Sequence, residues 1–182
     1  MRVGVLALQG GYGAHARALE ALGHTTLEVR TASELESAEG LVFPGGESTT
    51  HLRLIERFQL EAPLHHFVNS RKPVLATCAG LILCARTVEN PAQPSFGWLD
   101  IAIHRNGFGR QLDSFEGFDD KEGLPLCFIR APRIIETGPE VEVLATLNKE
   151  PVLVRQSNLY GATFHPELTD DLRIHRWVFG ES

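Results

Sequence analysis

The chain has 182 residues, a formal net charge of −6, and 43% hydrophobic against 22% charged residues, the balance of an ordinary globular protein. An acidic chain without a block of like charges argues against general nucleic-acid binding, and no apolar stretch approaches the length that spans a membrane. The length suits a single domain over residues 1–182, and Cys78, Cys84 and Cys127 lack the close pairing of a disulfide framework or a metal site. A reducing, cytoplasmic setting is expected.

Residues 2–8 form a continuous apolar run, the pattern of a strand covered on both faces. The run stops at Gln9-Gly10-Gly11, too soon for a signal peptide. Ala14, Leu19, Ala21 and Leu22 then place a helix that Gly23 ends, and residues 25–30 return as a strand. This β-α-β opening predicts a parallel sheet.

Residues 40–43 give a third strand, which runs into Pro44-Gly45-Gly46-Glu47-Ser48-Thr49-Thr50. Ser48 or Thr49 is expected to cap the following helix, which carries Leu52, Ile55 and Phe58. The glycine turn is either an ordinary strand-to-helix link or a set of N–H donors aimed at a developing negative charge. It lacks the lysine and spacing of a phosphate-binding loop. A further helix through Leu64, Phe67 and Val68 leads to Pro73 and a buried strand over residues 74–77.

That strand stops at Cys78, and a helix is predicted from Ala79. The small residues Ala76, Ala79 and Gly80 let strand and helix approach closely, which holds Cys78 on a sharp corner as serine is held in a nucleophile elbow. A helix N-terminus beyond the corner favours the thiolate. The alternative is a structural cysteine packed like a small hydrophobe. Gln9, Gly46 and Cys78 all fall just past the carboxyl ends of predicted strands, where α/β sheets collect reactive groups.

Beyond residue 87 the texture changes. Residues 89–94 make a polar, proline-bearing loop, and 98–104 a short alternating strand; Arg105-Asn106-Gly107-Phe108-Gly109-Arg110-Gln111 reads as a glycine- and arginine-rich loop. Residues 124–130, 142–147, 151–156 and 158–164 read as strands joined by short turns, partly antiparallel, and Leu172, Ile174, His175, Val178 and Phe179 as a closing helix. Within Thr163-Phe164-His165-Pro166-Glu167, an extended backbone puts His165 and Glu167 on one face, where the carboxylate fixes the imidazole tautomer. The same tripeptide also occurs as a plain turn. His65, His66 and His175 read as surface or packing residues.

The order of an elbow cysteine, a glycine turn and His165-Pro166-Glu167 resembles the class I (triad) glutamine amidotransferases. Within them, six stretches look like the glutaminase subunits of pyridoxal 5′-phosphate synthases. These are Leu6-Ala7-Leu8-Gln9-Gly10, Pro44-Gly45-Gly46-Glu47-Ser48-Thr49, Thr77-Cys78-Ala79-Gly80-Leu81-Ile82, Arg105-Asn106 with Phe108-Gly109-Arg110-Gln111, Phe128-Ile129-Arg130-Ala131-Pro132 and Phe164-His165-Pro166-Glu167-Leu168. Ala76 departs from the pattern, standing where such elbows commonly carry glycine, and residues 10–15 are richer in glycine than the resemblance leads one to expect, which predicts a late start for the first helix.

The resemblance implies an α/β, flavodoxin-like fold with a mostly parallel central sheet flanked by helices and extra antiparallel strands in the second half. It implies a Cys78–His165–Glu167 triad that hydrolyses L-glutamine through a γ-glutamyl thioester. Backbone N–H groups of Gly46 and Ala79 would form the oxyanion hole, and Gly46, Glu47, Ser48, Arg105, Ile129 and Arg130 would contact glutamine. Gln9 would lie on a loop responsive to the partner, a (β/α)8-barrel synthase subunit that receives the ammonia; neither cofactor nor metal is implied. The competing readings are a glutaminase serving histidine or anthranilate synthesis, a cysteine peptidase or γ-glutamyl hydrolase, and a regulatory subunit without turnover.

Overall fold

The computed structural model describes residues 1–107 and 114–181. Its centre is a seven-stranded sheet in the order β10-β11-β12-β4-β3-β1-β2. The strands are β1 (Arg2–Leu6), β2 (Thr25–Val29), β3 (Gly40–Phe43), β4 (Val74–Thr77), β10 (Glu142–Leu147), β11 (Glu150–Gln156) and β12 (Leu159–Ala162). The five strands from β2 to β12 run parallel, and β11 and β10 extend the β12 edge antiparallel. The α/β class with appended antiparallel strands is therefore the observed architecture.

Alternation along the inner strands sends successive side chains to opposite faces. Val3, Val5, Val42 and Leu75 join one core cluster, and Leu6, Leu41, Phe43, Val74 and Ala76 the other. The first face is covered by α1 (Tyr12–Ala21) and α6 (Arg173–Phe179), through Leu19, Ile174, Val178 and Phe179. The second is covered by α2 (Ala32–Glu36), α3 (Ser48–Arg57), α4 (Glu61–Asn69) and α5 (Ala79–Cys84), through Leu35, Ile55, Leu64 and Leu81. A smaller sheet joins β5 (Ala85–Glu89), β6 (Leu99–His104) and β9 (Arg133–Thr137), and β7 (Ser114–Phe118) pairs with β8 (Pro125–Ile129).

Several details differ from the sequence expectation. The buried face of α1 is His15, Ala18 and Leu19, continued by Leu22, whereas Ala21 is exposed, so a histidine sits where alanine was expected. Helix α3 is capped by Glu47, not by Ser48 or Thr49: its carboxylate accepts from the N–H groups of Thr49 and Thr50 at 3.4 and 2.9 Å. The longer side chain reaches the orphan amides and brings a negative charge to the positive helix end. Helix α2 and strands β5, β7 and β9 were not anticipated. Among the described residues no helix is long and apolar enough to cross a membrane.

The topology fixes where chemistry can gather. Strands β12, β4, β3 and β1 are consecutive neighbours, and their carboxyl ends lead into His165, Cys78, Gly45 and Gln9 respectively. Four segments distant in sequence thus open onto one edge of the sheet, the usual location of a site in such folds.

Candidate active site

Cys78 has φ 47° and ψ −105°, a strained conformation for a residue with a side chain. The surroundings hold it there. Its N–H donates to Ala162 O of β12 at 2.9 Å, and its carbonyl accepts the N–H of Ile82 in α5 at 3.1 Å. Gly80 allows the helix to lie against β3, since a Cβ there would come within 2.1 Å of Phe43 O. Ala76, fully buried, keeps its place in β4 and pairs with Gly161 and Phe43, so a methyl group here does not open the elbow. The thiol points out of the corner toward Ile129 O, with sulfur and oxygen 3.8 Å apart.

His165 follows β12 and is tied by its N–H to Cys127 O of β8 at 2.8 Å. The extended geometry expected for His165-Pro166-Glu167 is not found, because Pro166–Leu168 forms a turn of 3-10 helix. Proline fits its first position because it has no N–H to satisfy. The turn still brings Glu167 Oε1 to 2.8 Å from His165 Nδ1. With Nδ1 engaged, Nε2 is the nitrogen left for Cys78.

Burial opposes a charge on His165, but Cys78 and Glu167 outweigh it and raise the imidazole to about 10. Glu167, whose side chain is 1% exposed, would be pushed up by burial. The neighbouring His15 and His165 reverse this and leave it below the ordinary carboxylate value. A carboxylate kept ionised beside an imidazole that holds its proton is the orienter–base half of a nucleophilic triad.

The glycine turn forms the opposite wall. Gly46 has φ 133°, a region closed to other residues, and the Gln9 side chain lies against it. Gln9 Nε2 donates to Glu47 O at 2.6 Å while Glu47 N–H donates to Gln9 Oε1 at 3.3 Å, so the two turns are clamped together. Gly10 adds to the clamp, because a Cβ there would fall 1.9 Å from Gly45 O. Ala79 occupies the first position of α5, where a backbone N–H has no acceptor within the helix.

A cleft of about 630 Å³ joins these parts, lined by Gly46, Glu47, Ser48, Cys78, Arg105, Ile129, Arg130, His165 and Glu167 among others. Every residue singled out in the sequence for catalysis or glutamine contact lines it except Ala79, which follows Cys78 in the chain and is buried. Two of them are already engaged with each other: Arg105 Nη2 lies 3.2 Å from Glu47 Oε1 and 3.3 Å from Thr49 Oγ1. Ser48 is buried and its hydroxyl donates to Gln93 Oε1 at 2.9 Å, so its side chain supports the wall. Arg130 adopts φ 47°, turning the chain just beyond β8. The Phe108-Gly109-Arg110-Gln111 motif lies outside the described residues.

Sequence reasoning missed His15, Thr77 and His175. His15 Nε2 lies 3.2 Å from Glu167 Oε2 and 3.3 Å from Thr77 Oγ1, and His15 Nδ1 is 2.9 Å from His175 Nε2. The available signal was helical spacing, since His15, Ala18, Leu19 and Leu22 form one face of α1.

A sharp cysteine elbow at the carboxyl edge of a parallel sheet shares one cleft with a histidine held by a buried glutamate, the arrangement that a nucleophile, base and orienter require. The chain belongs to the SNO glutamine amidotransferase family, whose model matches residues 5–181. It is 48% identical over 182 aligned residues to "Pyridoxal 5′-phosphate synthase subunit PdxT" of Thermotoga sp. (strain RQ2), covering 97% of each chain. The same name is carried by a Geobacillus thermodenitrificans relative that is 49% identical, with 97% of this chain and 93% of the other covered. A solved structure described as a glutamine amidotransferase superposes with a TM-score of 0.90 at 44% identity, covering 97% of this chain and 96% of that one. PurLQS from Thermotoga maritima, 15% identical, shares the fold with a TM-score of 0.67.

Proposed function

We propose that residues 1–182 form one glutaminase domain that releases ammonia from L-glutamine for a pyridoxal 5′-phosphate synthase. The reading is carried by one observation: Cys78 on its strained corner shares a cleft with the His165–Glu167 pair held at 2.8 Å. The family's description supports glutamine as the substrate, and the names of the relatives support the synthase it serves.

Cys78 sulfur attacks the side-chain amide carbon of glutamine, with its proton already on, or passed to, His165. The carbon–nitrogen bond breaks as His165 returns that proton to the leaving ammonia, which leaves a γ-glutamyl thioester. Water then adds, giving its proton to His165, and glutamate departs as the proton returns to sulfur. Backbone N–H groups of Gly46 and Ala79 meet the tetrahedral oxyanion, each donor contributing about 3 kcal/mol to the lowering of the barrier. Arg105 and Glu47 at the cleft mouth offer opposite charges to the α-carboxylate and α-ammonium of the substrate, exchanging their mutual contact for it. Gly46, Ser48, Ile129 and Arg130 complete the enclosure.

Ammonia freed into water is protonated and lost as a nucleophile, so the product requires a docked acceptor. The acceptor is a (β/α)8-barrel synthase subunit in the cytoplasm, and the clamp between Gln9 and Glu47 is the element that responds to its docking. Glutamate and ammonia formation from glutamine, measured with and without that synthase, tests the proposal. Turnover that rises on adding the synthase is expected. Equal rates in both arms would remove the docking role of Gln9. Release of glutamate from γ-glutamyl peptides but not from glutamine would overturn the reaction.

A further inference from the structure

Behind the triad lies a second set of polar groups that the reaction above leaves without a task. His15 of α1 and His175 of α6 are both fully buried on the face of the sheet that also receives Thr77. Among the described residues no set of His, Cys, Asp and Glu side chains is placed to hold a metal ion, so these groups serve one another.

Their protons can be assigned by elimination. Glu167 Oε2 accepts only, and it is buried without an aligned hydrogen-bond donor; His15 Nε2 lies 3.2 Å from it and is placed to offer one. His15 Nε2 therefore carries its proton, shared between Thr77 Oγ1 and the carboxylate. His15 Nδ1 must then accept, and His175 Nε2, 2.9 Å away, must donate to it. This leaves His175 Nδ1 as a bare lone pair, and it is the buried atom of that ring found without a partner. Burial lowers the pKa of both rings, His175 to about 3, and so disfavours a charge on either.

We propose that His15 is a positioning residue for the triad: held as one neutral tautomer by His175, it sets its Nε2–H against Glu167 Oε2 and so keeps Oε1 on His165 Nδ1. A neutral donor orients the carboxylate without spending its charge. A charged His15 would compete with His165 for that carboxylate. The charged or titratable groups facing the pair are His15 from α1, His175 from α6, Cys78 from the elbow and Cys127 from β8, the last with its thiol pushed up by burial.

The inference rests on the triad reading, and its test separates the two. The protonation midpoint of His165 is read from its ring NMR signals in the chain free of synthase, where no turnover is needed. Glutamine kinetics are measured with the synthase present. In His15→Leu the His165 midpoint is expected to fall by about one pH unit, and kcat about tenfold, with KM held within about twofold. His15→Gln, which restores an N–H at the same distance, returns both toward the wild type. His175→Leu gives a smaller shift of the same sign and reads the device independently if His15→Leu does not fold. An unmoved His165 midpoint in folded His15→Leu or His175→Leu overturns the proposal, even if kcat falls. Absence of glutamine turnover in the wild type would count against the glutaminase alone.

Discussion

Glu167→Gln is expected to lower kcat for glutamine by on the order of 10³-fold while leaving KM within a few-fold, because Glu167 acts on His165 and not on substrate. The carboxylate accepts from His165 Nδ1 on Oε1 at 2.8 Å, and its Oε2 lies 3.2 Å from His15 Nε2. An amide has one acceptor and one NH₂, so one of the two histidines must meet a donor with a donor. The variant also shifts the pH response. His165 is raised to about 10 in part by the charge of Glu167, so in the wild type its proton persists through neutral pH and is lost near pH 10. With that charge removed the folded-state pKa falls, and the proton is lost at lower pH. Kinetics across pH with the synthase present check both effects; an unchanged alkaline limb would mean that Glu167 does not support the imidazolium.

Gly45→Ala is expected to cost about 10²-fold in kcat with the fold retained. A Cβ at this position would lie 2.6 Å from His165 Cε1, 3.3 Å from its Nδ1 and 3.4 Å from Cys78 Cβ. The turn has little room to retreat, because Gly45 O is held by His51 Nε2 at 3.2 Å and backed by Gly10. The imidazole must yield, and displacement of a base by about 1 Å is enough for a loss of this size. Overpacking itself destabilises by about 1–3 kcal/mol, which thermal melting measures separately. Wild-type kcat in this variant would show that His165 does not need its present position.

Much of this site was legible because its signals are local. Strand ends marked by Gly10, Pro44-Gly45-Gly46 and Cys78 are written within a few residues of the chemistry; the pairing of His165 with Glu167 was read from an extended backbone, whereas a turn of 3-10 helix makes it. The parallel sheet followed from the apolar run over residues 2–8 and the β-α-β opening it begins; residues 3–6 and 74–77 are buried. What stayed hidden depends on distant partners. His15 and His175 lie 160 positions apart and meet only because α1 and α6 share one face of the sheet. Ser48 or Thr49 was expected to cap α3, but Gln93 claims the Ser48 hydroxyl and Glu47 takes the cap. Strand β7 exposes alternate residues, and β9 carries Arg133 and Glu136, so neither shows the apolar run that marks the inner strands. Pairing with β8 and β6 makes them strands.

The central claim is that Cys78 is the atom on which glutamine is cleaved. A glutamine analogue with an electrophilic ketone in place of the amide, added to the chain with its synthase, should label each chain once, at Cys78. Glutamine in excess should protect, ammonia release should fall in proportion to labelling, and Cys78→Ala should neither label nor turn over. Label on Cys84 or Cys127 with activity lost, or glutamine hydrolysis persisting in Cys78→Ala, would contradict the account.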